Sequence, residues 1–113
     1  MYPSQIEFLK HILDECNYLL KEYEQNSFDD LLENERLSKA ICRSLEIIGE
    51  ASAKIEPDLK LKFPEVAWRE MSDLRNKIIH HYFGIDYEIV WNCIEDDIPE
   101  LKEQIEKIIA ESS

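Results

Sequence analysis

Glycine is nearly absent from this chain: two residues in 113, with four prolines. That leaves little material for the tight turns of a β-protein and favours helices instead. No apolar run approaches the roughly 20 residues that cross a bilayer. The start of the chain, Met1 to Glu7, has neither a basic n-region nor an apolar h-region, so it does not read as a signal peptide. Cysteines are few, odd in number and far apart (Cys16, Cys42, Cys93). They offer no CxxC pair and so suggest neither a zinc site nor a disulfide framework. Buried, reduced thiols in a cytoplasmic protein are the expectation. Cationic residues are also scarce, and the formal net charge is −12. That balance argues against non-specific nucleic-acid binding by the whole surface.

What is present is a soluble globular composition, 44% hydrophobic and 34% charged, long enough for one domain over residues 1–113. Ser4 and Glu7 form a capping-box pattern that starts a first helix. Phe8, Leu9, Ile12, Leu13, Cys16, Leu19, Leu20 and Tyr23 continue it as one apolar stripe. A second helix is expected from about Asp29 to Ile55, with Leu37, Ile41, Leu45, Ile48, Ser52 and Ile55 as its stripe and Pro57 as its end. A connection over residues 58–64, holding at most one helical turn, leads to a third helix from about Glu65 to His81. Gly84 suits a left-handed cap after it. A fourth helix starts near Asp86, and Asp97 with Glu100 forms a second capping box before a fifth helix or a kinked continuation. The fold class expected is all-α, an antiparallel up-and-down helical bundle of four to five helices.

Charge is not evenly spread. Residues 60–82 carry Lys60, Lys62, Arg69, Arg75 and Lys77 against Glu65, Glu70 and Asp73, a balance of +2 in a chain whose remainder is −14. On an ideal wheel of about 100° per residue, Arg75 falls among Trp68, Met71, Leu74, Ile78 and Ile79, inside the apolar stripe. A guanidinium does not lose its charge, so burying it alone is costly. Either Arg75 snorkels or pairs with a core carboxylate such as Glu46 or Glu50, or the stripe opens on a cleft or subunit interface where Arg75 awaits an anion. His80 falls on another face of the same wheel. The two would converge if the last turn unwinds toward Gly84, or if a symmetric partner supplies a second copy.

Arg75-x4-His80-x-Tyr82 resembles the Arg-x4-His-x-Tyr signature of HepT-like toxins, a branch of the HEPN superfamily. The flanks agree: Trp68 to Asn76 before it, Tyr82 to Trp91 and Asp97 to Leu101 after it, and Ser44 to Ala51 upstream. The resemblance implies a HEPN-like bundle and a metal-independent endoribonuclease without cofactor. In its terms Arg75 and His80 are the catalytic pair and Asn76 is the polar residue after the arginine. His81 is an added imidazole in a supporting position. Tyr82 is the tyrosine that a nucleotidyltransferase antitoxin of the MNT type adenylylates. Imidazole suits proton transfer near neutrality, and guanidinium suits a bidentate grip on phosphate. Arg69 and Lys77 are expected to guide the RNA backbone. The chain would act on RNA and not DNA, as a homodimer with a composite site, away from membranes. Two competing readings stand beside it. One is a non-catalytic helical nucleotide-binding or regulatory partner of a minimal nucleotidyltransferase. The other is a structural dimerisation bundle with Arg75 in a core salt bridge.

Overall fold

The computed structural model describes residues 3–80 and 84–112; the side chain of His80, and all of His81, Tyr82 and Phe83, lie outside the described residues. Eight helices occur among the described residues: α1 (Pro3–Gln25), α2 (Phe28–Glu33), α3 (Glu35–Ala53), α4 (Pro57–Lys62), α5 (Trp68–Ser72), α6 (Leu74–Ile78), α7 (Tyr87–Asp96) and α8 (Ile98–Ser112). Two-residue strands β1 (Ile79–His80) and β2 (Gly84–Ile85) pair antiparallel between α6 and α7. The all-α class expected from the sequence is the class found.

Helix α1 packs on both α3 and α8, α5 and α6 lie against α3, and α7 contacts α8, α1 and α6. The shared core is aliphatic, with Leu9, Ile12, Leu19, Ile41, Leu45, Ile48, Ile94 and Ile105 fully buried. Every one of these stands in a three- or four-residue repeat along its helix, which is why the repeat was legible. The three thiols are free and buried, as expected.

Several boundaries differ from the sequence expectation. Helix α1 begins at Pro3, so Ser4 already lies in its first turn. The expected Asp29–Ile55 helix is broken at Asn34, whose backbone leaves the helical region at φ −104°, ψ 101°. Its side-chain oxygen accepts the Leu37 N–H at 3.1 Å and starts α3 anew, the capping role for which asparagine is suited. A reciprocal capping box stands at the head of α2. Asp30 N–H donates to Ser27 Oγ at 3.1 Å, and Ser27 N–H donates to Asp30 Oδ2 at 2.8 Å. Pro57 not only follows α3 but opens α4 in the first helical turn, where its missing N–H is no loss.

The expected Glu65–His81 helix shows the largest departure. It divides into α5 and α6 at Asp73 (φ −97°, ψ 9°) and ends at Ile78. At Gly49 the backbones of α3 and α5 come close together. A Cβ there would stand 3.2 Å from Met71 O and 3.5 Å from Ser72 O. A side chain at Gly49 would crowd that crossing, where the end of α5 comes down onto α3.

Candidate active site

Helix α6 is five residues long. Leu74 and Ile78, one turn apart, are fully buried. The three residues between them, Arg75, Asn76 and Lys77, are exposed. Two buried anchors at i and i+4 fix the turn, and the intervening positions have to point outward.

This corrects the wheel. Arg75 does not lie within the apolar stripe, because the break at Asp73 resets the helical phase. Before the break Trp68 and Met71 face the core; after it Leu74 and Ile78 do. A continuous helix would have carried Arg75 into line with Trp68. The core salt bridge with Glu46 or Glu50 is also absent. Both carboxylates sit beside Arg43 instead, at 3.4 Å and 3.2 Å from its Nη1. Their hydrogen bonds and charge raise the Arg43 pKa, with the Glu50 bond the largest cause. Among the described residues Arg75 makes no hydrogen bond or ion pair. Its guanidinium is open to an anion from solvent.

The neighbours of Arg75 are held from the side. Asn76 Nδ2 donates to Asp73 Oδ1 at 2.6 Å, so the residue that breaks the helix also sets the carboxamide. Lys77 Nζ stands 3.5 Å from Asp97 Oδ2 at the α7–α8 junction, with both side chains substantially exposed. Asp97 had been expected to cap α8; its carboxylate turns to Lys77 and toward Cys93 instead. Burial first, and the Asp97 charge second, push the Cys93 thiol up to about 12. Arg69 is exposed on α5, across the break from Arg75.

Beyond Ile78 the chain turns extended. Ile79 has φ −96°, ψ 123°, and the ladder sets Ile79 opposite Ile85 and His80 opposite Gly84. Gly84 takes φ +80°, the left-handed conformation foreseen for it, but in a strand and not at a helix end. Asp86 N–H donates to Ile78 O at 2.8 Å and closes the two sides of this hairpin. His80 thus stands on extended backbone two residues past the end of α6. The helix unwinds before Gly84, at Ile79. The expected supporting and modified residues His81 and Tyr82 lie outside the described residues.

Sequence reasoning missed Asp73 and Asp97 as the partners of Asn76 and Lys77. An acid three residues before Asn76 was the available signal for the first. The second joins residues 20 apart in sequence and had none. Among the described residues no three His, Cys, Asp or Glu side chains gather as a metal site.

No solved structure matches the chain. The curated protein named "Putative RNase TTE0752" from Caldanaerobacter subterraneus subsp. tengcongensis is 41% identical over 102 residues, covering 90% of this chain and 91% of that protein. "Putative RNase MJ1380" from Methanocaldococcus jannaschii is 41% identical over 99 residues, 88% of this chain and 91% of its own length. "Probable ribonuclease HepT" from Thermococcus cleftensis is 39% identical over 108 residues, 96% of this chain and 98% of that one. The profile of the family described as Ribonuclease HepT-like matches residues 12–108, a span that includes α6, the hairpin and α7. The chain belongs to the HepT-like ribonuclease family.

Proposed function

We propose that this chain is a metal-independent endoribonuclease that cleaves RNA by attack of a ribose 2′-oxygen on the adjacent phosphorus, with Arg75 and His80 as the working pair. The observation that carries the reading is the state of Arg75. Its guanidinium is exposed, has no partner among the described residues, and stands one turn before the strand that carries His80. His80 takes the 2′-hydroxyl proton. The 2′-oxygen bonds to phosphorus, the bond to the 5′-oxygen breaks, and that oxygen leaves with a proton from the imidazolium of the partner subunit's His80. Arg75 holds the non-bridging oxygens while charge builds on them. The products are a 2′,3′-cyclic phosphate and a 5′-hydroxyl, and DNA, lacking the 2′-hydroxyl, is inert.

Asn76, tied to Asp73 through one amide N–H, offers its second amide N–H to a phosphate oxygen, and Arg69 and Lys77 steer the backbone. Two copies of the chain compose the site across a two-fold axis. The exposed apolar side chain of Ile79, 37% accessible beside the site, supports a contact with a second copy. His81 supplies a further imidazole. In this reading the chain is the toxin of a pair. An MNT-type nucleotidyltransferase antitoxin silences it by adenylylating Tyr82, which places bulk and negative charge beside His80.

The test is cleavage of labelled RNA in EDTA by wild type, Arg75→Ala and His80→Ala. Both variants are expected to be inactive, and a mixture of the two is expected to regain cleavage by forming composite sites. Undiminished cleavage by either single variant sinks the assignment. A mixture that stays inactive while forming mixed dimers sinks the shared site.

A further inference from the structure

Aromatic side chains converge where α2 meets α7. The capping box of Ser27 and Asp30 fixes Phe28 as the first residue of α2. Asp86 caps α7, its carboxylate accepting the Ile89 N–H at 3.1 Å. From that start Glu88, Trp91 and Asn92 stand at i, i+3 and i+4 and share one face. Val90, Cys93 and Ile94 occupy the other and are buried. The Trp91 ring lies 4.8 Å from Tyr23 and 6.3 Å from Phe28, centroid to centroid, at tilts of 36° and 55°. Phe28, Glu88, Trp91 and Asn92 line an open cleft of about 160 Å³. Phe28 and Trp91 are partly buried, and Glu88 and Asn92 are exposed. Among the described residues, neither Glu88 nor Asn92 uses its side chain in a hydrogen bond or ion pair.

We propose that this cleft holds one nucleobase of single-stranded RNA and selects guanine; the proposal rests on the reading that the chain acts on RNA. Indole and phenyl faces at a cleft wall accept any base by stacking. Choice among bases comes from the polar edge. A carboxylate takes two parallel N–H donors, and only guanine among the four presents two side by side, N1–H and the N2 amino group. The Asn92 amide is placed on the same helical face to donate to the guanine O6. A carboxylate at the rim also repels phosphate, so the cleft favours a base edge over the backbone.

The position suits a substrate threaded past Arg75. Asp86 N–H is bonded to Ile78 O, and the backbone path through that bond limits the Arg75 and Trp91 Cα atoms to about 20 Å apart. One strand can place a phosphate at Arg75 and a base a short distance along in the cleft. Phosphate contacts position a strand and carry no sequence information; the cleft adds the reading of sequence near the cut.

The experiment uses the whole chain. Tryptophan fluorescence is titrated with GMP, AMP, CMP, UMP and ribose 5-phosphate, and cleavage is measured on oligonucleotides that differ by one G→A change. GMP is expected to quench Trp91 with at least fivefold tighter affinity than the other nucleotides, and ribose 5-phosphate not at all. Trp91→Phe should remove the quenching; Glu88→Gln, a surface change that leaves the core intact, should erase the preference for guanine and raise KM on guanine-containing RNA without changing kcat. Equal quenching by all four nucleotides, or Glu88→Gln cleaving both oligonucleotides as wild type does, overturns the selection of guanine; no quenching by any nucleotide overturns the base-binding cleft itself. Cleavage lost in Arg75→Ala but indifferent to Glu88→Gln refutes the cleft alone. GMP-selective quenching in a protein that cleaves no RNA supports the cleft and refutes the nuclease reading.

Discussion

Leu74 and Ile78 decide what Arg75 does. Each is fully buried, and the turn between them leaves three polar residues in solvent. The family was legible in the sequence because Arg75, His80 and Tyr82 keep a recognisable spacing. The environment of Arg75 was not, because a single-residue change of backbone angle at Asp73 rotates everything after it, and aspartate is tolerated both inside helices and at their breaks. The thiols carry a separate prediction at this scale. Burial, the largest cause, pushes Cys16 and Cys93 up to about 12 and Cys42 up to about 11, from an ordinary value of 9.0. The unfolded chain therefore loses these protons first as the pH climbs past 9, and folding stability falls between about pH 9 and 12. The urea midpoint should be lower at pH 10 than at pH 8, and the thiols should react with a disulfide reagent at pH 8 only after denaturation. Rapid reaction of all three in the native protein would contradict their burial.

At the scale of elements, apolar periodicity located α1, α3, α7 and α8 well, since each presents one stripe to a shared core. It failed where polar residues interrupt a helix without disturbing the stripe. Asn34 is the clearest case: no glycine or proline marks it, and the break exists because its side chain caps Leu37 N–H. Asn34→Ala should cost about 1 kcal/mol, read as a lower urea midpoint, with α2 and α3 tending to merge. Gly49 carries the opposite lesson. Lacking a side chain, it admits a close helix approach, to the carbonyls of Met71 and Ser72. Gly49→Ala should destabilise by roughly 1–3 kcal/mol, as overpacking does, and it should lower cleavage as well, because α5 leads directly into α6. A stable, fully active Gly49→Ala would show that α5 is free to shift without moving Arg75. The two-residue strands were not foreseen, since a ladder this short has no periodicity to read.

For the whole molecule the puzzle is a chain of net charge −12 in a ribonuclease family. Its exposed cations near the site are few, and Lys77 is already beside Asp97. RNA binding should then neutralise only two or so phosphates and respond weakly to salt, with KM rising by about tenfold or less between 50 and 200 mM KCl. A much steeper rise would point to a broad cationic track that the described surface lacks. An acidic exterior also favours a partner with a basic face, consistent with control by a second protein. The most direct measurement compares wild type with Arg75→Ala on a labelled RNA in EDTA, with a matched strand carrying a single 2′-deoxy sugar at the cut. Wild type should cleave the all-ribose strand to a 2′,3′-cyclic phosphate and leave the 2′-deoxy linkage whole, while Arg75→Ala, melting within a few degrees of wild type because the side chain is exposed, should cleave neither. Cutting at the 2′-deoxy linkage, or an Arg75→Ala protein that still cleaves, would contradict the account.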